Sequence, residues 1–250
     1  MNDTPQGPPT PPPEMPPPAP PADPPPAPVS ETPEPDGDRI DIARYLNEAW
    51  QLFLENPALL VGGFAIVFLI LLLSAITVIG PLILVGPLMV GYYAIIHKLR
   101  NGQDAEFGEL FAGFSDFSRT CVAGLLVVLV FIVGAAIELI AGMILNGLPC
   151  IGQILSLVLS VGISLVIAAL TMFVLPRVTV SSAAPVDALS ENISFAQRFM
   201  TPALLLAAVH IGLSLLGSAL CIVGLLITMP IAPAFVMAAY DDYYAPRVKG

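Results

Sequence analysis

Two ionisable side chains lie well inside long apolar runs, Glu138 and His210. A carboxylate at mid-helix in hydrocarbon costs about 3 kcal/mol on insertion scales, so such a residue marks a solute or proton site by default. The alternative for Glu138 is a bond to a neighbouring helix, and for His210 an interhelical hydrogen bond beside small residues such as Gly212. Glu138 stands 18 residues beyond Thr120, roughly 27 Å along a helix, and His210 seven beyond Ala203, roughly 10 Å. That difference in depth argues against a proton relay built from these two alone.

Two other places could hold a solute. Gly86-Pro87 interrupts one apolar run, and Pro230 with Pro233 interrupts another. Paired broken helices point to transport sites. Their neighbours are almost all apolar, which equally suits packing kinks, and the fourth apolar run has no matching proline.

Enzyme chemistry finds little here. There is no phosphate-binding glycine loop and no nucleophile with a placeable base. Cys121, Cys150 and Cys221 form no Cys-x-x-Cys pair and have no metal-ligand spacing. Neither a metal nor another cofactor is expected, although Cys150 and Cys221 could form a disulfide or pack as free thiols.

The elements that must position these residues follow from composition. Hydrophobic residues make up 56% of the chain and charged ones 11%, about half the usual share. The net charge is −10, of which −7 falls in residues 1–38, leaving −3 for the remainder. An acidic chain with nine scattered cations has no footprint for nucleic acid. Residues 1–37 hold 17 of the 27 prolines, so residues 1–38 read as a disordered acidic tail in polyproline conformations. It would act as a spacer or as a docking strip for a proline-recognising protein, and without a cationic or apolar region it is no signal peptide.

Residues 39–250 carry six runs long enough to cross roughly 30 Å of hydrocarbon. They are 58–78, 82–99, 120–145, 151–175, 203–223 and 225–240. All nine Lys and Arg residues then fall on one face, which predicts a cytoplasmic location for both termini. The turn glycines Gly80, Gly152 and Gly224 are 72 residues apart each time. Each unit begins with an amphipathic stretch: Ile42, Leu46, Trp50 and Phe53; Phe107, Leu110, Phe111, Phe114 and Phe117; Leu189, Ile193, Ala196 and Met200. Tyr45, Trp50, Tyr243 and Tyr244 suit the headgroup layer. The expected fold is all-α, three repeats of an interfacial helix followed by a transmembrane hairpin, in contact with membrane lipids.

Ala49 to Phe53 leading into Asn56-Pro57, Gly80-Pro81 with Gly86-Pro87-Leu88, Leu110 to Phe114, and Asp187 to Ser190 carry a resemblance. Over about residues 40–245 the chain resembles uncharacterised bacterial six-helix membrane families, including the membrane domain fused to some glycerophosphodiester phosphodiesterases. That resemblance implies a bacterial inner-membrane bundle and transfers no catalytic residue. The expected role is a non-enzymatic scaffold or accessory bundle, with a transporter or channel for an apolar or amphiphilic solute as the alternative. Asn192-Ile193-Ser194 fits a glycosylation sequon but is expected to stay unmodified on the cytoplasmic side.

Overall fold

Asn56 and Phe199 share nearly the same backbone, φ −131° with ψ 46° and φ −119° with ψ 53°. Each is a one-residue joint at which an amphipathic helix turns into an apolar one. Asp41 caps the first of these, its carboxylate accepting from the Arg44 N–H at 2.9 Å. Pro57 and Pro185 open helices at the position where a missing N–H costs nothing.

The computed structural model describes residues 40–77, 79–145, 147–148, 151–219 and 221–249. Every regular element among them is helical: α1 (Ile42–Glu55), α2 (Pro57–Ser74), α3 (Ile79–Arg100), a 3₁₀ helix (Phe107–Phe114), α4 (Phe117–Leu145), α5 (Ile151–Thr171), α6 (Val174–Val180), α7 (Pro185–Arg198), α8 (Met200–Ala219), α9 (Cys221–Ala239), a π turn (Tyr240–Tyr244) and α10 (Ala245–Lys249). Five segments are long and apolar enough to cross a membrane: Pro57–Ser74, Ile79–Arg100, Phe117–Leu145, Ile151–Val180 and Met200–Ser218. The sixth expected pass falls in α9, whose first six side chains lie outside the described residues. The tail and Cys150 lie outside them as well.

The core is built from the charged ends of α3 and α9. Leu88, Tyr92, Ile95 and Ile96 of α3 are sealed, as are Phe235 to Ala239 of α9. α1 and α8 pack on α9, α2 and α4 on α3, and α5 on α8. By contrast, the far halves of α4 and α5 expose Ile140, Met143, Ile144, Ile154 and Leu157, an apolar surface of the kind a bilayer covers.

Three expectations shift in detail. Gly80 and Gly152 are second residues of their helices rather than turn residues. A Cβ there would stand 2.4 Å from the Ser74 carbonyl oxygen and 2.0 Å from that of Leu145, so glycine lets each hairpin close on its own last turn. Gly224 sits inside α9.

The second amphipathic stretch is 3₁₀, not α. Threefold spacing sets Phe111 beside Phe114, their rings tilted with centroids 6.1 Å apart, and Phe117 at the start of α4 stacks on Phe114 at 6.0 Å. The fourth apolar run is divided at Met172 and Phe173. Pro176 explains the break, because it offers no N–H to the Met172 carbonyl and its ring crowds that oxygen.

Candidate functional site

Glu138 lies two turns from the end of α4, remote from the charged layer that holds Arg119 at its start. Its Oε1 accepts a hydrogen bond from Ser164 Oγ at 3.2 Å. Ser156, Ser160 and Ser164 follow one another at four-residue spacing on α5, and so share a face. Between the helices is a groove of about 360 Å³ lined by Glu138, Ser156, Ser160, Ala135 and Ala141, with Leu139 and Leu159 at its rim. The alanines keep one wall low, and both rim leucines are exposed. The groove is open along the side of the hairpin.

This arrangement offers one carboxyl group and serine hydroxyls able to donate or accept, facing an apolar surround. On the hairpin's other face, Val133, Gly134, Ile137, Val158, Gly162 and Ile163 line an apolar recess of about 580 Å³. Glu138 was legible in the sequence, but its serine partners were not. Their period signals a face, yet only the pairing of α4 with α5 aims that face at the carboxylate.

His210 sits elsewhere. It is on α8 with its ring toward the Ala232 backbone of α9, whereas Glu138 faces α5. The structure does not bring the two together.

Gly86 and Pro87 occupy a continuous α3. A Cβ on Gly86 would meet the Thr120 carbonyl oxygen at 2.1 Å, and one on Gly113 would meet the Pro87 carbonyl oxygen at 2.1 Å. The pair thus lets α4 and the 3₁₀ helix approach α3 backbone to backbone. Pro230 and Pro233 lie within a continuous α9, where Pro230 is buried. Cys121 is a buried free thiol. The pairing of Cys150 with Cys221 falls outside the described side chains.

A second polar assembly lies at the charged end and escaped sequence reasoning. Arg100 binds Glu48 of α1 at 3.0 Å and Asp241 of the π turn at 3.2 Å. Arg44 pairs with Asp242. Arg177 meets Glu191 through two hydrogen bonds, 2.8 and 3.3 Å. Beneath these pairs Tyr240, Tyr243 and Tyr244 are buried among Phe173 and Phe195.

The expected headgroup positions of Tyr45, Tyr243 and Tyr244 are therefore core positions, exposed by 2%, 2% and 0%, while Trp50 stays at the surface. Burial raises the Asp241 carboxyl above its ordinary value, opposed by Arg100 and His97. It also raises the Tyr244 hydroxyl. Among the described residues no group of three or more His, Cys, Asp or Glu side chains could hold a metal.

No protein-family model, curated protein or solved structure matches the chain.

Proposed function

We propose that the protein is a non-enzymatic membrane bundle that binds the polar head of an amphiphilic solute in the Glu138 groove. The observation that carries this reading is the polar-lined cavity between α4 and α5, open sideways within an apolar hairpin. An ionisable residue in hydrocarbon is normally turned to a bundle interior or a polar cavity, and this one has the cavity. A hydroxyl or amine head can bond the carboxyl and the serines, while its hydrocarbon body lies along Leu139 and Leu159. The same chemistry serves a carrier of such solutes or a lipid-sensing accessory protein.

The topology belongs to this proposal. Six passes, with α9 as the last, form three repeats of amphipathic element plus hairpin in a bacterial inner membrane. Both termini are cytoplasmic. The matching joints at Asn56 and Phe199 and the cations gathered at one end support it. The proline-rich tail is then cytoplasmic, and can act as a spacer between neighbouring molecules or engage a proline-recognising scaffold partner.

The test is a thermal-shift screen of the detergent-purified full chain against long-chain amines, fatty alcohols and glycerolipids. Wild type is compared with Glu138→Gln and Ser160→Leu. Stabilisation by one head chemistry that disappears in both variants is the expected result. Equal stabilisation of all three proteins by every amphiphile would overturn the reading.

A further inference from the structure

Glu138 has no cation within the hairpin that carries it. Along α4 the nearest is Arg119, 19 residues away, roughly 28 Å along the helix. α5 carries no Lys, Arg or His. Among the described residues Ser164 is the carboxylate's one hydrogen-bond partner, through Oε1, and Oε2 accepts from none. A carboxylate in an apolar surround is normally matched by a cation or by several donors, and a single neutral hydroxyl supplies neither.

The rest of the groove is able to accept. Ser156 and Ser160 share the face of Ser164, and both line the cavity beside the carboxylate. Each hydroxyl oxygen has lone pairs for incoming N–H groups. An anionic head would meet no Lys, Arg or His among the lining residues. The volume, about 360 Å³, falls within the usual range of small-molecule sites.

We propose that the groove takes a primary ammonium head, its hydrocarbon chain lying along Leu139 and Leu159. This inference rests on the reading of the groove as an amphiphile site and names its ligand class. The ammonium brings the charge that Glu138 lacks and three N–H donors, for the carboxylate, Ser160 and, one turn further, Ser156. A fatty alcohol brings one donor and no charge, and an anionic head is repelled. A single-chain amine and the ethanolamine headgroup of a phospholipid share this chemistry.

The experiment places the full chain in phosphatidylcholine nanodiscs, whose trimethylated headgroup has no N–H. Dodecylammonium, dodecanol and dodecanoate are titrated while the unfolding temperature is followed. For each probe the half-saturating concentration in a variant is divided by that in wild type, which cancels partition into the lipid. Glu138→Gln should raise the value for dodecylammonium about tenfold or more, and Ser160→Ala about fivefold. Glu138→Gln should change the value for dodecanol by no more than about twofold, because an amide oxygen still accepts. Dodecanoate should give no saturable stabilisation. Glu55→Gln, an equal loss of charge at the exposed end of α1, should leave every ratio near one.

If Glu138→Gln weakens dodecanol as much as dodecylammonium, the ammonium assignment falls and the broader reading of the groove stands. If it weakens neither, or if no probe stabilises wild type, both fall. An equal loss in Glu55→Gln would mean attraction to an acidic protein at large and overturn the assignment. Should Glu138→Gln fail to fold, Ser160→Ala decides by the same ratios, and a ratio of one for dodecylammonium refutes the proposal. Replacing phosphatidylcholine by phosphatidylethanolamine separates the two sources: loss of the dodecylammonium response identifies the lipid headgroup as occupant, and an unchanged response a single-chain amine.

Discussion

Arg177 and Glu191 form a two-point ion pair, Nε to Oε2 at 2.8 Å and Nη2 to Oε1 at 3.3 Å. It ties α6, beyond the Pro176 break, to α7. The arginine side chain is only 14% exposed, so its charge depends on this partner. Removing the carboxylate leaves a guanidinium with unmatched donors in a largely desolvated site. Glu191→Gln should therefore cost about 1–3 kcal/mol of stability, read as a lower unfolding temperature in detergent. An unchanged midpoint would mean that water, not Glu191, satisfies Arg177.

Glycines at close approaches should behave differently from glycines in the open. Gly86→Ala drives a methyl group into the Thr120 carbonyl oxygen and the Gly124 backbone, and should destabilise by about 1–3 kcal/mol. Gly162 has nothing within 4 Å of a built Cβ and lies inside α5. Gly162→Ala should be neutral or gain up to about 1 kcal/mol. Thermal unfolding of the two variants side by side checks the contrast.

Asn192 is fully buried, its amide nitrogen donating to the Ala169 carbonyl oxygen at 3.3 Å. Its sequon is therefore inaccessible in the folded protein, and expression with an active glycosylation system should give no mass increase at this site. Asn192→Asp replaces a donor with a carboxylate facing that carbonyl. The variant should be severely destabilised at neutral pH, by more than about 3 kcal/mol, and should recover partly in acid as the carboxylate takes up a proton.

Asp241 gives a pH signature of opposite sense to that of an ordinary ion-paired acid. Burial raises its folded-state pKa above 3.8, with Arg100 and His97 offsetting part of the effect and Asp242 adding to it. In the window from that value upward, the folded protein holds more protons than the unfolded chain, so this group's contribution to stability declines as pH rises. Asp241→Asn removes that term. Its unfolding temperature relative to wild type should rise between about pH 4 and the raised pKa, and should be flat across the window if the shift is absent.

Much of this molecule was legible locally. The apolar runs depend only on a property of a short segment, its summed hydropathy. Glu138 stood out for the same reason, because a charge in an apolar run is visible without knowing its neighbours. The amphipathic stretches were found, but of the stripes that periodicity selects only Leu110 and Ala196 are buried. α1 seals Tyr45, Ala49 and Leu52, and α7 seals Ala188, Asn192, Phe195 and Ala196, all but Ala196 one residue from the selected stripe. Both helices carry apolar side chains on more than one flank, and the partner helix chooses among them.

The sequence by itself determined that the described residues are helical and apolar, where five of the long apolar helices run, and that Glu138 and His210 are anomalous within them. Tertiary structure alone decided that Ser156, Ser160 and Ser164 face Glu138, that Gly86 serves a backbone contact, and that the tyrosines after α9 form core. The reason is physical: helix formation and membrane partition are sums over neighbouring residues, whereas a groove, a close approach or an ion pair arises only when distant segments are brought together.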